Sequence, residues 1–244
     1  MSSVVGIDLG GTKVCAAELL DGRLGVSHLQ PTNLSGPAAL IDQLVEITRT
    51  VGDGFAAVGI GVPSVVEFAT GRIVTSVNIP LVDVPLRKVL GEHLGVPVFV
   101  DNDATVAALA EAHDEHLRLV AHNLVMLTIG TGVGGGIVLG GRIYRGATGG
   151  AGELGHTLVG LALSDGVPAP TRFAQPGSLE VAASGHALDR LAQQAAEAQP
   201  DSALGLIRRE TGKVLGADAV RAARQGDKAA ARAVDLWAHR VGVG

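Results

Sequence analysis

Cysteine is almost missing: the 244 residues hold one, Cys15. That excludes an internal disulfide framework and a metal site built from several thiolates. A surplus of positive charge is missing too. Lys and Arg number 19 against 24 Asp and Glu, a net charge of −5, so there is no basic footprint for a nucleic acid. The first residues carry no charged region followed by an apolar stretch and a cleavage pattern, which points to a cytoplasmic protein. No Walker-type Gly-Lys-Ser/Thr occurs; Gly212-Lys213 is followed by Val214. One charge-free run, 124–141, has the length of a membrane span. Seven of its residues are Gly, and each glycine inside a helix costs about 1 kcal/mol relative to alanine. Two buried strands joined by a glycine loop fit this run better, and no membrane partner is expected.

What the chain has in excess is glycine, 35 residues, about twice the ~7% average. The excess gathers at 130–155, which marks special backbone geometry rather than a linker. An apolar fraction of 47% argues against disorder. The length allows one large or two modest domains.

Two glycine-threonine turns stand 119 residues apart, each between short apolar runs. The first is Asp8-Leu9-Gly10-Gly11-Thr12-Lys13, the second Ile129-Gly130-Thr131-Gly132-Val133-Gly134-Gly135-Gly136. The offset continues downstream, where Gly22-Arg23-Leu24 falls in register with Gly141-Arg142-Ile143. A fixed offset indicates one supersecondary unit used twice. Two such units facing each other can hold an anionic chain from both sides, which points to a phosphate ligand in a cleft between two domains.

Periodicity and turn chemistry predict strands over 4–9 and 14–20, a hairpin at Asp21-Gly22 and a third strand over 24–30. Leu40, Leu44, Ile47 and Val51 recur at helical spacing. Ala57 to Val62 reads as a buried strand, Val65 to Thr75 as a hairpin turning at Thr70-Gly71, and 85–94 as a short helix. A strand over Pro97 to Val100 delivers Asp101, Asn102 and Asp103, with a helix over 104–116 behind them. The second unit then reads as strands over 124–129, 136–140 and 142–145, followed by helices over 180–197, 216–224 and from 228 onward. The last of these carries Val234, Trp237 and Val241 on one face.

Each motif has a bland and a sharp reading. Consecutive amides in the first turn form an anion-binding concavity, with Thr12 as a further donor; the same residues also make an ordinary hairpin turn. Asp8 could hold a hydrated Mg²⁺, which takes a carboxylate, waters and phosphate oxygens. Gly130, Gly132 and Gly135 match a dinucleotide fingerprint in spacing. That fingerprint needs a helix next, whereas Ile137-Val138-Leu139 read as strand, so the nicotinamide reading is rejected. Asp101-Asn102-Asp103 follows a strand whose carboxyl end is where ligands sit in open α/β sheets. Its side chains serve equally as helix caps or as a general base. Glu153 and His156, three apart in a glycine-dense loop, suit the hydroxyls of a polyol.

Together the pieces resemble the ROK family of sugar kinases and sugar-responsive repressors, within the actin-like ATPase (ribonuclease H-like) fold. The resemblance lies in six motifs in order: the first glycine turn, Gly59-Ile60-Gly61-Val62-Pro63, Asn78-Ile79-Pro80, Asp101-Asn102-Asp103-Ala104, the second glycine turn, and Gly152-Glu153-Leu154-Gly155-His156. It covers nearly the whole chain. It implies two α/β domains around a cleft, a smaller one over 1–116 and a larger one over 117–244. It implies ATP-dependent phosphorylation of a hexose at the 6-hydroxyl, glucose being the family's commonest substrate, and commonly a homodimer. Asp103 is then the base; Asn78, Asn102, Glu153, His156 and Glu180 bind sugar hydroxyls. Gly10, Gly11, Thr12 and Lys13, with Gly130, Thr131 and Gly132, hold the ATP phosphates, and Asp8 helps position Mg²⁺. Kinases for N-acetylhexosamines, mannose, fructose and allose share most of these residues, and polyphosphate is a second donor to weigh. A sugar-binding protein without turnover is the main rival reading.

Two departures from the family stand out. Many members bind zinc through the Gly-His histidine and three cysteines spaced Cys-x-Cys-Gly-x-x-Gly-Cys-x-Glu. The matching stretch, Thr171 to Glu180, replaces all three, so no zinc is expected, His156 is left to the sugar, and packing of Phe173 is expected to hold the loop. Members also continue past the point matching Gly244, with a strand, a glycine-rich nucleotide-contacting segment and a closing helix, so the second domain is expected to be truncated. Repressors carry a DNA-binding helix-turn-helix before the first turn; here only Met1, Ser2 and Ser3 precede the first strand.

Overall fold

The computed structural model describes residues 3–160 and 174–244. Phe173 lies outside them. The chain forms two compact units, Met1–Met126 with Gly136–Gly152 and Leu127–Gly135 with Glu153–Gly244. The division therefore differs from the expected one at 116/117. Its cause is the second glycine hairpin, whose two strands each run from one unit into the other.

The first unit contains β1 (Val4–Leu9), β2 (Lys13–Leu20), β3 (Arg23–Leu24), β4 (His28–Pro31), α1 (Pro37–Val51), β5 (Ala57–Val62), β6 (Ser64–Glu67), β7 (Arg72–Ser76), α2 (Leu86–Leu94), β8 (Val98–Asn102) and α3 (Asp103–Glu111). The main sheet runs β3-β2-β1-β5-β8, with β4 also on β2. β1 is antiparallel to β2 and parallel to β5, and β5 is parallel to β8. Side chains alternate across a strand, so Val5, Ile7 and Leu9 are buried while Gly6 and Asp8 are exposed. The buried face packs on Leu40, Leu44 and Ile47 of α1 and Leu86 and Leu90 of α2. Asp21 (φ 51°) and Gly22 (φ 76°) make the tight turn into β3, both positive as a two-residue hairpin requires. The expected strand over 24–30 is two short ones, each paired to β2.

Helix α3 stops at Glu111, short of the expected 116. Asp114 takes the amides of His116 and Arg118, both at 2.9 Å, and the Arg118 guanidinium at 2.8 Å. Local side-chain bonds of this kind compete with the helical ladder. The Arg118 side chain, then its amide, hold the Asp114 carboxyl below the usual carboxylate range.

The second hairpin comprises β9 (Leu124–Ile129), β10 (Val133–Leu139) and β11 (Arg142–Ile143), ordered β11-β10-β9. Its register repeats that of the first. Leu19 pairs with Leu24 and Leu20 with Arg23; Val138 pairs with Ile143 and Leu139 with Arg142, the same pairs displaced by 119 residues. The charge-free run 124–141 is thus hairpin, and among the described residues no helix is long and apolar enough to cross a membrane. β10 is largely buried, but β9 is half-exposed rather than buried, because it is the edge strand of this sheet.

In the second unit a 3₁₀ turn at Leu154–His156 precedes α4 (Leu179–Ala183), α5 (Gly185–Ala198), α6 (Ala203–Thr211), α7 (Gly216–Arg224) and α8 (Lys228–Val241). The helix expected over 180–197 is broken at Ser184, which is extended (φ −71°, ψ 172°) and caps α5 by accepting from the Ala187 amide at 3.3 Å. α6 escaped the periodicity reading; it is bounded by the cap Ser202, accepting from the Gly205 amide at 3.2 Å, and by left-handed Gly212 (φ 77°). Small residues let these helices approach closely, with Ala192, Ala196, Ala219, Ala222 and Ala230 buried around Leu204 and Val214. Val234 packs against this cluster, Val241 packs against the neighbouring one built on Leu179, and the Trp237 indole donates to the carbonyls of Ala183 and Ser184 at 2.9 and 3.1 Å.

Candidate active site

In the first unit the parallel strands β1, β5 and β8 end on the same side of the sheet. The first glycine turn follows β1, Pro63-Ser64 follows β5, and Asp103 follows β8. Carboxyl ends of parallel strands are where ligands bind in such sheets.

The first turn is tied down by its carbonyls. Gly10 N–H donates to Lys13 O at 2.8 Å; the Thr32 hydroxyl and amide donate to Gly10 O at 2.7 Å and Thr12 O at 3.0 Å. The amides of Gly11 and Thr12 donate to no acceptor among the described residues. Thr12, Lys13 and Asp8 are exposed. A β-carbon on Gly11 would stand 3.0 Å from Asn78 Cβ and 3.1 Å from its carbonyl oxygen, so the glycine lets the Asn78 loop lie closer to the turn, by a few tenths of an ångström, than a side chain would. That loop leaves β7, where the Ser76 hydroxyl accepts from the Ser64 hydroxyl at 2.9 Å and the Ile79 amide at 3.4 Å.

The acidic tripeptide divides its labour. Asn102 is the helix cap, its Oδ1 taking the Thr105 amide at 3.0 Å, while its amide group reaches Ser64 O at 3.5 Å. Asp103 is the first residue of α3, half-buried, with Oδ1 accepting from the Ala104 amide at 2.8 Å. A β-carbon on Gly61 would stand 3.2 Å from Asp103 Cα, so the glycine of β5 admits the start of α3. Asp101 accepts from the Asn102 amide at 3.0 Å and from Arg145 at 2.6 Å.

In the second unit Gly130 N–H donates to Gly132 O at 3.0 Å, and Gly185, at the start of α5, donates to Gly130 O at 2.7 Å. Glu180 lies against this turn: its Oε2 accepts from the Val133 amide at 3.0 Å, and a side chain on Gly132 would overlap the Glu180 carboxylate. A side chain on Gly155 would overlap the Val133 carbonyl, which seats the 3₁₀ turn on the start of β10. Glu153 and His156 flank that turn with Oε2 and Nε2 3.6 Å apart. The turn, Glu180 and the Glu153–His156 pair are thus neighbours within one unit.

The first turn can meet an anion such as a phosphate, because its Gly11 and Thr12 amides have no acceptor among the described residues. The second offers Thr131 and Gly132 amides, while Val133's is given to Glu180. Asp8 suits Mg²⁺ only as a single carboxylate completed by water and phosphate; among the described residues no three acidic, His or Cys side chains cluster for a metal. Ser178, standing where the third zinc cysteine falls in the family pattern, is buried and caps α4 through the Val181 amide at 3.3 Å.

Sequence reasoning missed Thr32, Asp101 as a brace, and Arg145. The 119-residue offset does not single out Arg145, because the match already ends one residue earlier, where Tyr144 stands opposite Gly25.

This fold and these turns define a known class. The chain belongs to the ROK family, whose profile matches residues 4–244, and has the actin-like ATPase fold. A glucokinase of Halalkalibacterium halodurans is 36% identical over 251 residues, covering 98% of this chain and 73% of that protein. A putative xylose repressor of Caldicellulosiruptor sp. is 30% identical, covering 99% of this chain and 61% of that protein. A Streptomyces griseus ROK glucokinase, solved with glucose and AMPPNP, superposes with a TM-score of 0.80 at 30% identity, covering 99% of this chain and 77% of that one.

Proposed function

We propose that the protein transfers the terminal phosphoryl group of ATP to the 6-hydroxyl of a hexose, with glucose as the first substrate to test. The observation that carries this reading is the gathering, at one end of β1, β5 and β8, of an amide-rich glycine turn and the half-buried carboxylate of Asp103. Glucokinase relatives in the same family support it.

Asp103 accepts the proton of the sugar hydroxyl as that oxygen bonds to phosphorus and the bond from phosphorus to the ADP oxygen breaks. Asn78, Asn102, Glu153, His156 and Glu180 bind the other hydroxyls and orient the sugar. Gly10 to Lys13 and Gly130 to Gly132 hold the phosphates. Asp8 would hold Mg²⁺ together with water and phosphate oxygens, and the ion would supply charge neutralisation on the phosphates when bound. Phosphoryl transfer depends almost wholly on such positioning and charge neutralisation. The assay is ADP release coupled to a dehydrogenase, run across a panel of hexoses and N-acetylhexosamines with ATP and polyphosphate as donors. Saturable, sugar-dependent ADP release supports the reading.

Sugar binding without turnover is the second reading. It is favoured by the Glu180 carboxylate, an anion already bonded to an amide of the second turn, and by the resemblance to a repressor. Sugar binding by calorimetry with no ADP release would select it.

A further inference from the structure

We propose that Arg145 is a positioning residue that sets the carboxylate of Asp103 through Asp101. The proposal deepens the kinase reading, and its kinetic arm rests on that reading; its exchange arm rests on geometry alone. Arg145 donates from Nη2 and Nε to one oxygen of Asp101, at 2.6 and 3.1 Å. The pair is well covered, with side chains 25% and 14% exposed. The guanidinium carbon lies 3.5 Å from the centre of the Phe68 ring. Arg87 donates to the Phe68 and Ala69 carbonyls at 2.6 and 2.7 Å, which fixes the turn presenting that ring. The other Asp101 oxygen takes the Asn102 amide, Asn102 caps α3, and Asp103 is the next residue. An unbroken series of contacts thus runs from Phe68 through Arg145 to the proposed base.

Arginine suits this place by type. Its planar fork makes two bonds while its face stacks on a ring, which a lysine ammonium cannot reproduce. Removing it leaves the Asp101 carboxylate covered and unpaired. The carboxylate is then driven to turn toward water, and its hold on the Asn102 amide goes with it. Displacement of a reacting group by about 1 Å costs on the order of 10²-fold in rate.

The test measures amide hydrogen exchange by NMR, and kcat and KM with hexose and ATP, on the full chain and its Arg145→Ala and Arg145→Lys variants. In Arg145→Ala the Asn102 and Thr105 amides are expected to exchange about 10-fold faster or more, with β1 and α1 unchanged. kcat is expected to fall roughly 10- to 100-fold with sugar KM within about 3-fold. Added guanidinium ion, but not sodium chloride at equal ionic strength, is expected to restore part of the rate. Arg145→Lys is expected to lie between the two and serves alone should Arg145→Ala fail to fold. Unchanged exchange at 102 and 105, or faster exchange spread evenly over the first unit, overturns the proposal. Should the parent chain release no ADP, the kinase reading fails and exchange alone decides on Arg145. Normal kcat in Arg145→Ala overturns the proposal and leaves the kinase reading standing.

Discussion

Asp227→Ala is expected to destabilise the helical unit by about 2 kcal/mol. One carboxylate oxygen caps α8 by accepting from the Ala230 amide at 2.8 Å. The other accepts from the Ala203 amide, the first of α6, also at 2.8 Å. One side chain thus closes two helix N-termini, and each lost cap costs about 1 kcal/mol. Asp227→Asn keeps one acceptor and loses the negative charge that favours a helix N-terminus, so its cost is expected near half. The Ala230 amide first, then those of Ala203 and Ala229, hold the Asp227 carboxyl below its ordinary value. A depressed folded-state pKa means stability that is present above the unfolded value, near ~3.9, and lost as pH falls through the folded one. The gap between parent and Asp227→Ala is therefore expected in full at pH 7 and to shrink below about pH 4. Urea unfolding followed by fluorescence reads this unit selectively, because Trp237 is the sole tryptophan and lies in α8. A loss under about 0.5 kcal/mol at pH 7, or a gap that persists unchanged at pH 2.5, would refute the reasoning.

Two further outcomes follow from single residues. Gly11→Ala forces the first turn and the Asn78 loop apart by a few tenths of an ångström, so KM for ATP is expected to rise about 10-fold while Gly59→Ala, with open space around its β-carbon, leaves kinetics and stability as they were. Zinc measured by plasma emission on chelator-free protein is expected well below one per chain, since capping Ser178 replaces a thiolate; stoichiometric zinc would contradict this.

The repeated hairpin was legible because its offset is carried by residues that turns demand. Gly22 and Gly141 both have positive φ, and the strand register behind them repeats to the residue. Strands β1, β5 and β8 were legible from apolar runs, and with them the placement of Asp103 at a carboxyl end. The choice between cap and base at 101–103 was not, because both uses ask for the same residue types; only coordinates assign the cap to Asn102 and leave Asp103 one residue inside the helix. The early end of α3 was hidden because Asp114 stops it with local side-chain bonds to residues two and four further on, rather than with Gly or Pro. The break at Ser184 had a local signal in Ser184-Gly185, a turn dipeptide, but the helix-forming residues before it and after His186 let one helical period be read straight through. Contacts such as Glu180 with the Val133 amide, or Arg145 with Asp101, join residues more than forty positions apart, and local pattern carries no trace of them.

The proposed hexose kinase activity, with Asp103 as its base, is tested most directly by coupled ADP release from the parent chain and Asp103→Asn side by side. The account predicts glucose-dependent turnover in the parent, and in the variant a kcat lower by about 10²- to 10⁴-fold with glucose affinity by calorimetry largely kept. Equal turnover in the two, or glucose binding by the parent with no ADP released, would contradict it.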